Sequence, residues 1–354
     1  MKKNRKKLVS FFVILVMGIL SLASCGKKEK AKETEEYIFK IGTANGSLCL
    51  APLHVAIDNK YFEDEFKAAG IKYQLVEIDL QQASDLIASE KIDACVGLSG
   101  SLIPQIDSGL DIAFTGGLHT GCTKYYVSKD SSIQSLEGLK GKKIGVPGLA
   151  DSAVVALKRK LFDLGIGVST TNMEIELIPY NMTDLPLALE NKAVDAIALH
   201  DPVATAAEQE YGFKKILDLT EDEKFAKEYC CQIYVSNKVA KRYPKAAAAY
   251  TRALLKAAAF VQADPGAAAK LQIDHKQCSG DLQVNTKLLQ SYNYTPSVSL
   301  AKKTFRDASD ELIRIGDLKE GRNLDEFTND HFITLDGVPE SYTFHKDGSF
   351  SEVK

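Results

Sequence analysis

The sequence predicts an α/β protein of two lobes that share one plan and are joined by two crossover strands. A strand-like run ending in Lys-Ile-Gly occurs twice, and each copy leads through a loop into a helix-like stretch. An apolar run containing an Asp follows each copy at nearly the same distance. Strands and helices that alternate at this spacing build parallel sheets. The 354 residues suffice for two such lobes.

The first 24 residues are typical of a lipoprotein signal peptide. A basic start (MKKNRKK) precedes an apolar run from Leu8 to Leu22, which is shorter than a membrane-spanning helix needs to be. Leu-Ala-Ser-Cys at 22–25 resembles the lipobox of bacterial lipoproteins, in which the cysteine sulfur is acylated and cleavage falls just before it. Cys25 is therefore the predicted lipidation site. The alternatives are an uncleaved signal anchor and a chance cysteine after an ordinary signal peptide.

Residues 25–37 are predicted to form the lipidated start and a flexible tether. Four lysines and four glutamates occur between Gly26 and Glu36, and such a segment cannot bury enough surface to fold. Without the five basic residues of the signal, 39 basic residues face 47 acidic ones, a net charge of about −8. This balance argues against nucleic acid as a partner.

Residues 38–123 are predicted to form the first part of lobe 1, and residues 124–232 to form lobe 2. In lobe 1 the predicted elements are a strand ending at Gly42, a helix from about Ala51 to Asn59, a helix over 84–88 and a strand over 91–98. In lobe 2 they are a strand ending at Gly145, a helix to about Leu164 with Asp151 or Ser152 as its N-cap, a helix over 184–189 and a strand over 193–199. Asp93 follows Gly42 by 51 residues, and Asp195 follows Gly145 by 50.

Residues 233–354 are predicted to return to lobe 1 and to be mostly helical. Strand-like runs over 122–128 and 231–236 are interpreted as the crossovers between the lobes. The expected helices span 243–263, 281–292, 297–316 and 323–329, and they should wrap onto lobe 1. A separate helical domain is the alternative layout.

Several stretches of the chain resemble the nitrate/sulfonate/taurine-type substrate-binding proteins of ABC importers, a family that also includes thiamine-pyrimidine proteins. The most specific stretch is LEGLKGKKIGVPG at 136–148, and the others are APLHVA at 51–56, KIDA at 91–94, VDA at 194–196 and ALLKA at 253–257. The resemblance covers roughly residues 38–265 and is weaker in the C-terminal helices. It implies a type II periplasmic-binding-protein fold, in which two lobes close over a solute.

Ligands in such folds bind beyond the carboxyl ends of the strands, where loops meet helix N-termini. Four loops and the start of one crossover strand meet that condition. The candidate ligand-binding residues are Asn45, Ser47, Cys49, Ser99, His119, Thr120, Gly148, Asp151, Ser152, His200 and Asp201. For three of them a structural role is the alternative: Ser47 and Asp201 as helix caps, and His119 as a buried, hydrogen-bonded side chain.

The identity of the ligand follows less directly. Only seven arginines occur and none falls in the candidate loops, so a bidentate arginine clamp is not expected. A carboxylate at Asp201 would oppose a sulfonate or nitrate unless a cation offsets it, and it would suit an amine or pyrimidine N–H. A sulfonate or related small anion is the first expectation from the resemblance, and a pyrimidine or other heterocycle is the second. Aromatic contacts must come from Tyr or Phe because the chain has no Trp.

Four cysteines should lie close to the cleft: Cys49, Cys122, Cys230 and Cys231. A Cys/His metal site or a hinge disulfide is conceivable, and small apolar fillers under the cleft are the favoured interpretation. No metal site or cofactor is therefore assigned. A metal-capturing surface protein is kept as an alternative function.

No nucleophile elbow, HExxH motif or P-loop occurs, so an enzyme is not expected. The sequence instead favours a monomeric, lipid-anchored receptor on the outer face of a bacterial cytoplasmic membrane. Its expected partners are a small solute, an ABC permease and the ATPase of that permease.

Overall fold

Ten strands build two five-stranded mixed sheets in the computed structural model, which describes residues 37–354. The predicted signal peptide, Cys25 and the tether up to residue 36 lie outside the described residues. The described strands are β1 (Ile38–Thr43), β2 (Lys72–Glu77), β3 (Ala94–Leu98), β4 (Ile112–Thr120), β5 (Thr123–Val127), β6 (Lys143–Val146), β7 (Val168–Ser169), β8 (Asn172–Met173), β9 (Glu176–Pro179), β10 (Ala196–His200), β11 (Lys214–Asp218), β12 (Tyr229–Ser236), β13 (Ser341–Phe344) and β14 (Phe350–Val353).

Helices lie between and after these strands. The described α-helices are α1 (Ala51–Asp58), α2 (Tyr61–Ala69), α3 (Ala83–Ala88), α4 (Ser99–Asp107), α5 (Ser152–Asp163), α6 (Leu185–Glu190), α7 (Val203–Tyr211), α8 (Asn237–Arg242), α9 (Pro244–Ala263), α10 (Pro265–Asp274), α11 (Leu282–Ser291), α12 (Val298–Arg314) and α13 (Leu324–His331).

The two sheets have the same strand order. The strand order of the first sheet is β2-β1-β3-β12-β4, and that of the second sheet is β9-β6-β10-β5-β11. Strands at the same position in these two orders are equivalent. In each sheet the fourth strand is antiparallel to both of its neighbours. The predicted α/β fold of two like lobes is confirmed. Each run interpreted as a crossover is in fact the fourth strand of a sheet, β5 in the second and β12 in the first.

Both passages between the sheets come earlier in the chain than the sequence suggested. Gly121 and Cys122 separate β4 from β5, and the return segment lies between β11 and β12. Because Tyr229 already pairs with Thr120 in the first sheet, the chain leaves the second sheet before residue 229 rather than after residue 232.

The repeated Lys-Ile-Gly and Asp residues make the same contact in both lobes. The backbone N–H of Asp93 donates to the Lys40 carbonyl at 2.8 Å, and its carboxylate accepts from the Lys40 N–H at 2.8 Å. Asp195 makes the same two bonds with Lys143, at 2.8 and 2.9 Å. Each Asp therefore closes the start of the central parallel strand pair, which explains the pattern found in the sequence.

The glycine of each repeat permits close packing against the same lobe's interior. A Cβ built on Gly42 would lie 3.0 Å from Cδ1 of Ile92, and one on Gly145 would lie 2.7 Å from Cδ2 of Leu185. Real side chains avoid such distances, so any larger residue would push these layers apart.

The C-terminal helices pack onto the first sheet. Helix α9 contacts α1, α2 and β4, and α12 contacts β4 and β12. Phe114 of β4 packs against Phe305 of α12 with ring centroids 5.5 Å apart. This arrangement matches the predicted wrap on lobe 1, and a separate helical domain is not formed.

Three C-terminal elements were not predicted: the short helix α8, the helix α10 and the hairpin of β13 and β14. The hairpin packs on α9, where Phe344 and Phe260 meet edge to face with centroids 5.0 Å apart. Each of its strands has only four residues, which is the shortest run in which a period-2 pattern can be identified.

Within residues 37–354, no helix combines the length and apolar character needed to cross a membrane.

Candidate functional site

The N-termini of α4 and α5 meet between the two lobes. A Cβ built on Gly100 would lie 3.2 Å from the Cβ of Ser152, so the lobes are in direct contact at this point. Asp151 caps α5, since its carboxylate accepts from the Ala153 N–H at 2.8 Å. The residue before α4, Leu98, provides no side-chain cap. The first turn of α4 therefore presents N–H groups without a side-chain partner, which suits an anionic or polar ligand atom.

His200 is fixed between Asp151 and Thr123. Its Nε2 lies 2.8 Å from Oδ1 of Asp151, and its Nδ1 lies 2.9 Å from the Thr123 hydroxyl. Burial works against protonation of the ring, but the charge and hydrogen bond of Asp151 outweigh it, so the pKa of His200 is raised. Burial also opposes ionisation of Asp151, yet His200 and the Ala153 N–H hold the pKa of Asp151 below its usual value. The two side chains consequently form an ion pair at mildly acidic pH.

A series of thiols links the loops of the two lobes. Ser47 Oγ lies 3.1 Å from Cys49 Sγ, and Cys122 has the largest influence on the pKa of the Cys49 thiol. Cys122 Sγ lies 3.3 Å from Cys230 Sγ and 4.0 Å from Nδ1 of His200. Polar contacts therefore run from the first loop of lobe 1 to the ion pair of lobe 2.

The thiols of Cys49 and Cys122 stay protonated at neutral pH. Interaction with the Cys122 thiol and burial together raise the pKa of Cys49 to about 12. The hydrogen bond with Cys230, ahead of burial, raises the pKa of Cys122. All six described cysteines are free. In the described part of the chain, no three His, Cys, Asp or Glu side chains are arranged to bind a metal ion.

His119 is completely buried beside two tyrosines. Its ring lies 5.7 Å from that of Tyr292 and 5.0 Å from that of Tyr294, measured between centroids. Its Nδ1 lies 3.3 Å from the Thr120 carbonyl oxygen. Among the described residues, Nε2 of His119 and the hydroxyl of Tyr294 have no hydrogen-bond partner. These two atoms are therefore available to a polar heterocycle or to ordered water.

Asp201 is buried and paired with a lysine. Its carboxylate accepts from Nζ of Lys124 at 2.8 Å and from the Tyr292 hydroxyl at 2.8 Å. The other oxygen accepts from the N–H and hydroxyl of Thr205, so Asp201 caps the first turn of α7. Since the side chain of Asp201 is fully buried, the capping role left open by the sequence describes it better than ligand contact does. Its negative charge no longer argues against an anionic ligand.

The remaining candidates differ in their surroundings. Asn45 is exposed, and the space beside Gly148 is open, with no atom within 4 Å of an added Cβ. Thr120 is buried at the end of β4, where its N–H donates to the Asn293 carbonyl. Ser99 donates its hydroxyl to the backbone of β12, so it stabilises lobe 1 as well as facing lobe 2.

The sequence analysis did not identify the residues that pair with Asp201, nor the arginine that reaches the space between the lobes. Lys124 lies in an apolar strand run, and Tyr292 lies far along the chain at the end of α11, so only the fold brings them to Asp201. Arg159 lies on α5 and reaches the interlobe space, where Glu228 and Glu311 hold its guanidinium at 2.9 and 2.6 Å. A lone charged residue within an apolar run was the one available signal for Lys124.

Two cavities flank the N-terminus of α5. A narrow one of about 40 Å³ is lined by residues of both lobes, including Ser99, Thr123, Ser152, Arg159 and Cys230. A wider one of about 560 Å³ opens beside Asp151, with Gln81 of lobe 1 and Tyr180 of lobe 2 in its walls. The wider space is in the range of small-molecule sites.

Comparison with known proteins identifies relatives of this chain. The family described as NMT1/THI5 like matches residues 49–268. The putative aliphatic sulfonates-binding protein of Bacillus subtilis (strain 168) is 26% identical over 212 residues, 58% of this chain and 61% of that protein. The putative thiamine biosynthesis protein of Haemophilus influenzae is 26% identical over 196 residues, 54% of this chain and 56% of that protein. The matches thus span less than two thirds of either relative.

Solved structures share the fold over most of the chain. The alkanesulfonate-binding protein SsuA from Xanthomonas axonopodis pv. citri, bound to MOPS, has a TM-score of 0.67 at 18% identity, covering 85% of this chain and 99% of that one. The periplasmic nitrate-binding protein NrtA from Synechocystis PCC 6803 has a TM-score of 0.68 at 12% identity, covering 90% and 96%. These likenesses establish the two-lobed binding-protein fold.

Proposed function

Because this chain belongs to the NMT1/THI5-like family, we propose that it is the extracytoplasmic solute-binding component of an ABC importer. It captures a small solute between its lobes and presents the closed form to a permease, which an ATPase drives from the other side of the membrane. The role is binding without catalysis and without a cofactor. Closure is a hinge motion about the two passages between the lobes.

The main support for an anionic group on the solute is the N-terminus of α4, which has no side-chain cap and lies beside Ser152. Ser152 is only 7% exposed, and its Oγ has no hydrogen-bond partner in the described residues. Backbone N–H groups and a free hydroxyl bind an oxyanion without an arginine. A sulfonate of the alkanesulfonate or taurine kind, or a similar small anion, fits this chemistry.

The charges around the cleft support the same class. Asp151 is offset by His200, and Asp201 by Lys124, so neither carboxylate repels an anion strongly. Arg159 is already engaged by two glutamates. An anion would therefore be held mainly by hydrogen bonds, and by His200 when it is protonated.

A thiamine-type pyrimidine or other heterocycle is the second candidate. The stacked rings of His119 and Tyr292, together with the free Nε2 of His119 and hydroxyl of Tyr294, favour a flat polar ligand. The relative named for thiamine biosynthesis is consistent with this candidate.

Isothermal titration calorimetry on protein purified from cells expressing the full chain tests the proposal. The panel comprises alkanesulfonates, taurine, nitrate, thiamine pyrimidines and divalent metals. We expect a sulfonate to bind, and Ser152→Ala to weaken it by about tenfold to a hundredfold, because a hydrogen bond to a charged group contributes roughly 1.5–3 kcal/mol. The matched control is Ser89→Ala, whose exposed hydroxyl donates to Asp85 at the end of α3, remote from the cleft.

Binding of a pyrimidine alone, reduced by His119→Phe and not by Ser152→Ala, would select the second candidate. Binding of metal alone would instead favour the metal-capturing protein. If no organic solute binds at millimolar concentration, the receptor proposal is wrong.

We also propose that Cys25 carries the lipid anchor and that the receptor acts as a monomer on the outer face of the cytoplasmic membrane. The Leu-Ala-Ser-Cys sequence at 22–25 and the charged tether support the anchor. A Cys25→Ala variant should leave the membrane fraction and fail to incorporate labelled fatty acid. Retention of the label in that variant would refute lipidation at this residue.

A further inference from the structure

Cys122 and Cys230 lie where the chain passes between the lobes. Cys122 stands in the two-residue passage between β4 and β5, and Cys230 is the second residue of β12. Their sulfur atoms are 3.3 Å apart although 108 positions separate them in the sequence. The two passages are themselves in contact, because a Cβ built on Gly121 would lie 2.8 Å from Cγ2 of Thr220.

We propose that Cys122 and Cys230 are a redox-active pair that closes into a disulfide and fixes the hinge between the lobes. A disulfide needs a sulfur separation of about 2 Å, so the two side chains must approach by little more than ~1 Å. The role in the cell rests on the proposed extracytoplasmic location, where disulfides persist. The chemistry itself does not depend on the identity of the solute.

The oxidant is an organic disulfide, RSSR. Cys230 attacks first because it is partly exposed and lines the interlobe cavity, whereas Cys122 is buried. Attack forms Cys230–S–S–R and releases RS⁻, which takes up the proton lost by Cys230. Cys122 then attacks the Cys230 sulfur, forms the protein disulfide and releases the second RS⁻, which takes up the other proton. Two electrons pass from the two cysteines to RSSR, giving two RSH.

The bond would tie the first passage to the second and close a loop that contains the whole second sheet. Hinge closure and opening require these passages to change their relative orientation. The structure has the lobes in contact at Gly100 and Ser152, so a disulfide formed in this state favours the closed form. Release of bound solute should then be slower in the oxidised protein than in the reduced protein.

The test treats the purified protein with oxidised glutathione and then measures free thiols in denaturant, intact mass and peptide linkage. We expect the loss of two thiols, a mass lower by about 2 Da and a peptide pair joining Cys122 to Cys230. The melting temperature should rise by about 5–15 °C, because the closed loop is long. Reductant should reverse every change.

Cys230→Ser should abolish the cross-link, whereas Cys231→Ser, its sequence neighbour, should keep it. Cys95→Ser is the control for a buried thiol outside the pair, since Cys95 contacts the Gly42 carbonyl instead. A stable glutathione adduct without a cross-link, a Cys49–Cys122 linkage or an unchanged thiol count in wild-type protein would each overturn the proposal. These readouts need no solute, so the pair can fail while the receptor proposal stands.

Discussion

Replacing Lys124 by Met tests whether Asp201 is an anchor of the fold rather than a ligand contact. The lysine is the one cation within 4 Å of the Asp201 carboxylate among the described residues, at 2.8 Å. Its side chain is 8% exposed, and that of Asp201 is fully buried. Met keeps the length and apolar stem of Lys124 but removes the charge. The variant therefore leaves a buried carboxylate without its counterion.

Breaking a buried pair in this way costs about 3–5 kcal/mol, because the remaining charge has lost both water and partner. The hydrogen bonds from Tyr292 and Thr205 to Asp201 remain in the variant. The loss of folding free energy should therefore lie toward the lower end of this range. For a domain of this size, each kcal/mol lowers the melting temperature by roughly 2 °C. Lys124→Met should therefore lower it by about 6–8 °C.

Thermal unfolding followed by circular dichroism measures the effect. Lys140→Met is the matched control, because Lys140 pairs with Glu174 at the same 2.8 Å but with 60% and 29% of the two side chains exposed. That change should cost less than about 1 kcal/mol. Adding Asp201→Asn to Lys124→Met should restore most of the lost stability, since an amide needs no counterion. Equal losses for Lys124→Met and Lys140→Met would refute the reasoning.

Two further predictions concern the core and the ion pair. Gly117→Ala should destabilise the protein by about 1–3 kcal/mol in urea unfolding, because a Cβ there would lie 2.4 Å from the Tyr229 ring. Gly148→Ala, with open space around it, should leave stability unchanged, and equal effects would contradict this view of the packing. His200→Gln should lower the melting temperature more at about pH 5.5 than at about pH 9. The pKa of His200 is raised by Asp151, so its stabilisation is complete below about pH 6.5 and fades as pH rises through the folded-state pKa. A loss independent of pH would show that the pair is not charged.

The sequence was informative where a local pattern controls structure. The Lys-Ile-Gly strands and the helices α1 and α5 show patterns within a few neighbouring residues, and each was predicted. The pairing of Asp201 with Lys124 could not be predicted from the sequence, because it depends on the strand register between β5 and β10. The contribution of Tyr292 depends on helices that return to lobe 1 from the end of the chain. Contacts of this kind depend on packing between residues that are far apart in the sequence, and the spacing of residues along the chain does not predict them.

The difference between the two lobes is more informative about the site than their similarity. Residues present in both copies, such as Asp93 and Asp195, make identical backbone contacts and therefore maintain the fold. The helices that face the cleft differ: α4 begins without a side-chain cap, while α5 begins with Asp151 bound to His200. One lobe thus offers free N–H donors and the other an ion pair whose charge depends on pH. A solute held between them would meet hydrogen-bond donors from lobe 1 and a protonatable ring from lobe 2, so an anionic solute should bind more tightly below the pKa of His200 than above it.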